Sequence, residues 1–203
     1  INHSEVFTRQ GLSPSVKFPR ILGIECVGMI EESEVFPKGQ QIISIMGEMG
    51  RAFDGGYAEY TLLPNEQIYP VDTDLPLATL CALPETYYTA FGSMLNLKIS
   101  EGDSVLVRGA SSGVGIAFLR LLKAKYPNIH ITGTSRSEQK VERLIKEGFD
   151  EIVIDRDNQL QTAQKYDKVL DLIGPAALRD TFSHMSEDSI VCVTGLLGGE
   201  WTL

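Results

Sequence analysis

The chain has 203 residues, enough for one or two domains, and 43% of them are hydrophobic, so a sizeable core can be buried. Its net charge of −9 argues against a protein whose main task is to bind nucleic acid, because phosphate binding needs a basic surface. The sequence contains no apolar run of about 18 residues that would span a membrane, and no signal peptide is visible. The three cysteines show neither zinc nor disulfide spacing, so we expect reduced thiols in a cytoplasmic protein.

The first part of the chain, up to about Leu75, predicts a β-rich, irregular domain. Ile21–Ile30, Gln41–Met46 and Tyr57–Leu63 are predicted strands, separated by glycine and proline turns. No helix of useful length is predicted between them. Strands that follow strands in this way are typical of a small barrel or sandwich.

From Ser104 onward, predicted strands and helices alternate, after a linking helix over Leu83–Leu95. Alternation of this kind indicates an α/β fold with a doubly wound parallel sheet of Rossmann type. The predicted elements are strand Ser104–Arg108, helix Gly113–Tyr126, strand Ile129–Thr134, helix Glu138–Glu147 capped by Gly148, strands Glu151–Ile154 and Lys168–Ile173, helix Pro175–Met185 and strand Ser189–Thr194.

The turn after the first of these strands is built from small residues, Gly109-Ala110-Ser111-Ser112-Gly113-Val114-Gly115. A diphosphate must approach the backbone closely, and the free N–H groups and dipole of a helix N-terminus stabilise its charge. A strand, a small-residue turn and a helix therefore predict a dinucleotide site formed by residues 110–115. Ala110 and Ser112 replace the first two glycines of the common G-x-G-x-x-G pattern, and a tight turn without a ligand is the alternative.

The end of the second strand predicts which nucleotide is bound. NAD-dependent enzymes usually carry Asp or Glu there to bind the ribose 2′-hydroxyl, whereas residues 133–137 contain no acid. Arg136 offers a fork of donors suited to a 2′-phosphate, Ser135 adds a hydroxyl, and Lys140 lies one turn into the next helix. These residues favour NADPH over NADH, the alternative being that the two cations are solvated surface charges.

Several stretches, in the right order, resemble the zinc-free quinone oxidoreductase branch of the medium-chain dehydrogenase/reductase superfamily. The stretches are residues 1–11 (N-x-x-[DE]-x-x-x-R-x-G), Leu22–Gly28 (G-x-E-x-x-G), Asp54–Tyr60 (a DGGYAEY-like hairpin), Leu83-Pro84 with Thr89-Ala90-Phe91 (the linking helix) and Gly109–Gly115 (the branch's own turn, G-A-x-x-G-V-G). Together they cover nearly the whole chain.

The resemblance implies a partial catalytic domain of chaperonin-10-like topology, residues 1–77, and a partial nucleotide-binding domain, residues 78–203. It implies NADPH in the cleft between them and hydride transfer to a quinone or an α,β-unsaturated carbonyl compound. It also implies that Asn2 lies near the nicotinamide and that Thr89 contacts its ring.

Further cofactor contacts are expected at Gly174, Gly195 and Leu196, which follow the fourth and fifth strands at the carboxyl end of the sheet. For catalysis the sequence offers no convincing dedicated acid. Tyr57 is a weak candidate by position, and a solvent proton is the alternative.

Two comparisons with relatives limit what the resemblance implies. Zinc-dependent members carry a Cys where this chain has Asn2 and a His-Glu pair where it has Ile24-Glu25, so we expect no metal site. Phe7 and Asp155 stand where some quinone reductases of this type have tyrosines, so no role of those tyrosines carries over.

A non-catalytic NADPH-binding sensor or structural protein of the same fold is the alternative function. A short-chain dehydrogenase is disfavoured, because none of the seven tyrosines has a lysine four residues later. We expect no nucleic-acid or membrane partner.

Both domains are expected to be cut, with about 100 or more residues missing, a naturally short variant being the alternative. Relatives dimerise through a sixth strand, so the full-length protein is expected to be a homodimer. The piece without that strand is expected to be poorly soluble or to form non-native oligomers, because its fifth strand would be an exposed edge.

Overall fold

The computed structural model describes residues 1–199, which fall into two compact units, Ile1–Glu85 and a second unit that begins at Thr86. Among these described residues, each unit is built around its own sheet, of three strands in the first and six in the second. Within residues 1–199, no helix has the length and apolar character needed to cross a lipid bilayer.

The first unit is a three-stranded antiparallel sheet with short helices. Strand β2 alternates, with Ile42 and Ser44 buried, and Val27 of β1 lies opposite Ile43. Its elements are α1 (His3–Arg9), β1 (Glu25–Met29), β2 (Gln41–Ile45), β3 (Tyr69–Pro70) and α2 (Leu77–Leu80), with the strand order β1-β2-β3.

The prediction of a strand over Tyr57–Leu63 is wrong. The amide groups of residues 55–57 bond to the carbonyl groups of residues 21–23, and a Cβ on Gly55 would lie 2.2 Å from Gly23 O, so the chain is in very close contact there. In the described part of the chain, residues 58–63 donate and accept no backbone–backbone hydrogen bond. A run of strand-forming side chains is not a strand without a partner for its backbone.

Helix α1, seven residues long, lies before the first strand and was not predicted. Its N-terminal amide is satisfied by a side chain: Asn2 N–H donates to Glu5 Oε2 at 2.5 Å. An Asn followed three residues later by Glu is a known start signal for a helix, and this signal would have predicted α1 from the sequence.

The second unit has the alternating order that the sequence predicts. Its elements are β4 (Ser104–Arg108), α4 (Gly113–Lys125), β5 (His130–Ser135), α5 (Val141–Glu147), β6 (Glu151–Arg156), β7 (Gln159–Leu160), β8 (Tyr166–Asp171), α6 (Pro175–Ser183) and β9 (Met185–Val193), and α3 (Pro84–Leu97) leads into it. Gly148 ends α5 with φ +119°, as predicted. The antiparallel strand β7, which pairs with β6, was not predicted.

The strand order β7-β6-β5-β4-β8-β9 indicates where a ligand would bind to this sheet. Strand β4 is central and is buried from Val105 to Arg108, as expected for a parallel strand covered on both faces. Its neighbours are β5 on one side and β8 on the other, so the chain reverses its direction of winding at the carboxyl end of β4. Ligands of open α/β sheets bind in the crevice at such a switch point.

Candidate functional site

A pocket of about 480 Å³ opens at the carboxyl ends of β4, β5 and β6. It is lined by Gly109, Ser111, Ser112, Thr134, Ser135, Arg136, Ser137, Lys140, Asp155, Asn158, Ile173, Leu197 and Gly198. Five of these residues, Ser111, Ser112, Ser135, Arg136 and Lys140, were predicted from the sequence. A larger groove in the first unit, about 1000 Å³, is lined by acidic residues such as Glu31 and Glu59 and contains none of the predicted cofactor residues.

The turn after β4 is closely packed on its inner side. Ala110 and Gly115 are buried, and a Cβ on Gly115 would lie 2.8 Å from Ala110 O, which only a glycine avoids. Gly115 N–H donates to Ser112 Oγ at 3.1 Å, so Ser112 caps α4. The close fit holds the first turn of α4 against the end of β4.

The outer side of the same turn is open. Ser111 and Gly113 are exposed, Val114 is half-buried, and a Cβ on Gly113 would meet nothing nearer than 3.6 Å. Ser112, which caps α4, lines the pocket, so the start of α4 lies beside it. A helix N-terminus of this kind stabilises an anion.

The end of β5 brings two positive charges to the pocket. Arg136 and Lys140 are exposed and line it, and within residues 1–199 neither forms an ion pair. Ser135 is buried, and its Oγ donates to Ser137 O at 2.8 Å and accepts from Ser137 N–H at 3.2 Å. The Ser135 hydroxyl thus shapes the loop that presents the two cations.

The turns after β8 and β9, which contain the predicted cofactor residues Gly174, Gly195 and Leu196, are in contact. A Cβ on Gly174 would lie 2.9 Å from Gly195 O and 3.0 Å from Leu196 Cδ2, so a side chain there would separate the two turns. Thr194 Oγ1 lies 2.9 Å from Ser93 Oγ, which donates to Thr89 O at 2.8 Å. Thr89, Gly174, Gly195 and Leu196 are thus connected within the second unit.

A buried ion cluster beside the pocket was not predicted. Arg108, fully buried at the end of β4, donates through Nε to Asp155 Oδ2 at 2.9 Å and lies 2.9 Å from Asp180 Oδ2. Its other N–H groups donate to Asn158 O, Ala177 O and Thr181 Oγ1. The cluster ties β4 to β6 and α6, and Asp155 and Asn158 are also pocket residues.

The first unit contains a second polar network, around Glu5, which is 4% exposed. Glu5 accepts from Ile24 N–H at 2.8 Å, from Asn2 N–H at 2.5 Å and from Tyr57 Oη at 2.7 Å. Asn2 Nδ2 donates to Glu25 Oε1 at 2.8 Å. The structure therefore brings Asn2 and Tyr57, both predicted from the sequence, into one hydrogen-bonded group.

Burial and neighbouring charge make two groups here hold their protons. Partial loss of solvent, together with the hydrogen bond to the Glu5 carboxylate, raises the pKa of Tyr57 well above its ordinary value. Burial, with smaller contributions from Cys81 and Glu25, raises the pKa of the Cys26 thiol to about 11. Tyr57 is therefore poorly suited to give up a proton, and Cys26 is poorly suited to act as a thiolate.

The residues that stand at the zinc-ligand positions of zinc-dependent relatives do not fit a metal. Ile24 is apolar and 5% exposed, and Asn2 Nδ2 is turned to Glu25 as a donor. Across residues 1–199, no group of three or more His, Cys, Asp or Glu side chains is placed to hold a metal ion.

Known proteins similar to this chain agree with the fold. Residues 1–73 match the family described as the alcohol dehydrogenase GroES-like domain. The putative quinone oxidoreductase YhfP of Bacillus subtilis (strain 168) is 30% identical over 195 residues, covering 90% of this chain and 58% of YhfP. The quinone oxidoreductase of Homo sapiens is 27% identical over 211 residues, covering 98% of this chain and 62% of that protein.

Solved structures match both parts of the chain. The crystal structure of B. subtilis YhfP with NAD bound has a TM-score of 0.77 at 28% identity, covering 91% of this chain and 59% of that one. The YhdH oxidoreductase of Salmonella enterica in complex with NADP has a TM-score of 0.82 at 24% identity, covering 98% of this chain and 64% of that one. The predicted fold class, a parallel α/β sheet after a chaperonin-10-like part, is confirmed.

Proposed function

Since the chain belongs to the medium-chain dehydrogenase/reductase superfamily, we propose that it is an NADPH-dependent oxidoreductase, or part of one, that reduces a quinone or an α,β-unsaturated carbonyl compound without zinc. The observation that carries the proposal is the pocket of the second unit, where the start of α4 and two cations without ion-pair partners among residues 1–199 line one cavity. The chain spans 62% of the human quinone oxidoreductase, so the activity is proposed for the protein to which these residues belong.

The turn after β4 is suited to the diphosphate of a nicotinamide nucleotide. Ser111 and Ser112 line the pocket, and a Cβ on Gly113 would meet nothing nearer than Thr86 Cγ2 at 3.6 Å. Backbone donors and the helix dipole stabilise a diphosphate without a charged side chain. The turns at Gly174 and Gly195 lie on the β8 side, where the nicotinamide half would be placed.

Arg136 and Lys140 support NADPH rather than NADH. Both line the pocket at the end of β5, where the adenosine ribose of a Rossmann-bound nucleotide lies. A guanidinium and an ammonium group together suit a phosphate, whereas a ribose diol usually binds Asp or Glu at this place. The NAD bound to YhfP is the observation that favours the alternative, NADH, for a relative 28% identical to this chain.

When bound, the nicotinamide supplies the hydride. Negative charge then grows on the carbonyl oxygen of the acceptor, which needs a proton or a hydrogen-bond donor. Tyr57 keeps its proton and already donates to Glu5, so we propose that solvent supplies the proton. Asn2 and Thr89 are proposed to orient the nicotinamide.

Binding of NADPH and NADH to the purified chain tests the nucleotide assignment. We expect Arg136→Ala and Lys140→Ala each to weaken NADPH binding about 10-fold, the loss of one charge-assisted contact, and to change NADH binding by less than about 2-fold. Lys146→Ala is the matched control, since it removes the same charge from α5 at an exposed residue that pairs with Glu142 and does not line the pocket.

A clear preference of the unmodified chain for NADH would contradict the proposed role of Arg136. Turnover of an ortho-quinone and of a small enone by the longer protein to which these residues belong tests the reaction. Tight NADPH binding by that protein without turnover of any acceptor would favour the non-catalytic sensor.

A further inference from the structure

The carboxylate of Asp155 is held on one side only. Arg108 Nε donates to Asp155 Oδ2 at 2.9 Å, and Asp155 is 4% exposed. Asp155 Oδ1 is buried and has no hydrogen-bond partner in residues 1–199. Leaving a charged oxygen buried and unpaired is costly, so such an atom needs an explanation.

The other Arg108 donors that have partners are directed at acceptors other than Asp155 Oδ1. Nη2 donates to Asn158 O at 2.8 Å, and Nη1 donates to Ala177 O at 3.0 Å and to Thr181 Oγ1 at 2.8 Å. Nη1 also lies 2.9 Å from Asp180 Oδ2. The guanidinium thus fixes the Asp155 carboxylate without satisfying its second oxygen.

Asp155 lines the nucleotide pocket near the end of β6. The strand order β6-β5-β4 runs from Asp155 to the turn after β4. With the diphosphate at the start of α4 and the 2′-phosphate at Arg136 and Lys140, the next group of the nucleotide along this direction is the adenine base. The 6-amino group of adenine is a neutral hydrogen-bond donor.

We propose that Asp155 Oδ1 accepts a hydrogen bond from the adenine 6-amino group, and that Arg108 is the positioning residue that aims this carboxylate. The inference rests on the proposed function, since it assigns a base-specific contact to the proposed cofactor pocket. The Asp155 charge does not exclude a nucleotide phosphate, because Arg108 offsets it at 2.9 Å and Arg136 and Lys140 line the same pocket.

The test compares NADPH with deamino-NADPH, in which hypoxanthine replaces adenine and a carbonyl oxygen replaces the 6-amino group. In the unmodified chain this oxygen would face a carboxylate oxygen. We expect deamino-NADPH to bind at least about 10-fold more weakly than NADPH, the loss of one hydrogen bond to a charged group.

Asp155→Asn is expected to reverse this preference. Arg108 Nε needs an acceptor, so the new amide side chain would turn its oxygen to Arg108 and place its NH₂ group where Oδ1 was, a donor that suits hypoxanthine. Asp180→Asn is the matched control: it alters the other carboxylate of Arg108, does not line the pocket, and is expected to leave the preference unchanged.

Equal binding of the two nucleotides to the unmodified chain would overturn the inference and leave the proposed cofactor site standing. An unchanged preference in Asp155→Asn would overturn it as well. If neither nucleotide binds, the proposed cofactor site fails, and the adenine contact fails with it.

Discussion

Tyr57 illustrates how a single hydrogen bond decides what a residue can do. Its hydroxyl donates to Glu5, and burial together with this hydrogen bond raises the pKa of Tyr57, so the folded state favours the protonated phenol. A folded-state pKa above the unfolded value of 10.0 gives stability that is fully present below pH 10.0 and is lost as the pH rises toward the folded value.

We therefore expect Tyr57→Phe to lower the free energy of unfolding by about 1 kcal/mol at neutral pH, a modest value because Tyr57 is 49% exposed. The difference between the two proteins should shrink above pH 10.0, where the unmodified chain loses the contribution. Urea unfolding at neutral and alkaline pH measures it. A difference that stays constant across this range would contradict the link between stability and ionisation of the Tyr57 hydroxyl.

The sequence predicts a site residue when its position relative to its own strand or helix is enough to place it at the site. Arg136 follows β5 directly, so its place at the pocket depends on local order alone. The contact of Arg108 with Asp155, 47 residues later, depends instead on which strands are neighbours and on their register. No spacing rule contains that information, so the cluster was not predicted.

Among the elements, helix α4 has two glycines with opposite requirements. A Cβ on Gly115 would press on backbone oxygens at 2.8 and 2.9 Å, whereas a Cβ on Gly113 would meet nothing nearer than 3.6 Å. We expect Gly115→Ala to lower the free energy of unfolding by about 1–3 kcal/mol. Gly113→Ala should leave stability unchanged or slightly higher, since it lowers the entropy of the unfolded chain.

The same pair separates packing from ligand binding. If the diphosphate rests on the open side of the turn, the methyl group of Gly113→Ala will weaken NADPH binding in a protein that is as stable as the original. Thermal unfolding and nucleotide binding, measured on both variants, check the two parts. A Gly113→Ala chain with unchanged NADPH affinity would place the diphosphate elsewhere.

The prediction of strands and helices was correct in the second unit, where strands and helices alternate regularly along the sequence. Strand β4 was predicted at its observed bounds, because a run of buried β-branched and apolar residues ends at a glycine turn. Strand prediction over residues 57–63 failed, because the backbone there continues from a close contact with residues 21–23 and finds no ladder partner among the described residues. Strand propensity depends on the side chains of a segment, whereas the pairing of its backbone with another strand depends on the fold.

The net charge of the chain is negative, whereas Arg136 and Lys140 bring positive charge to the pocket. A chain with net charge −9 repels an anionic nucleotide at long range, so the affinity must come from local groups at the end of β4 and β5. The fold class was predictable because alternating strands and helices indicate a parallel sheet. The boundary between residues 77 and 78 stays a prediction.

Amide hydrogen exchange with two ligands tests which predicted residues contact the adenosine half of the nucleotide and which contact the nicotinamide half. Adenosine 2′,5′-bisphosphate carries only the adenosine half, whereas NADPH also carries the nicotinamide. We expect both ligands to slow amide exchange around Gly109–Gly115 and Ser135–Lys140, by up to about 100-fold when the ligand is at about 100 times its Kd. If Asn2 lies near the nicotinamide, NADPH alone will slow exchange in α1. Strand β2 serves as the internal control and should exchange at the same rate throughout. Slower exchange in α1 with the bisphosphate, or unchanged exchange in α1 with both ligands, would contradict the placement of Asn2.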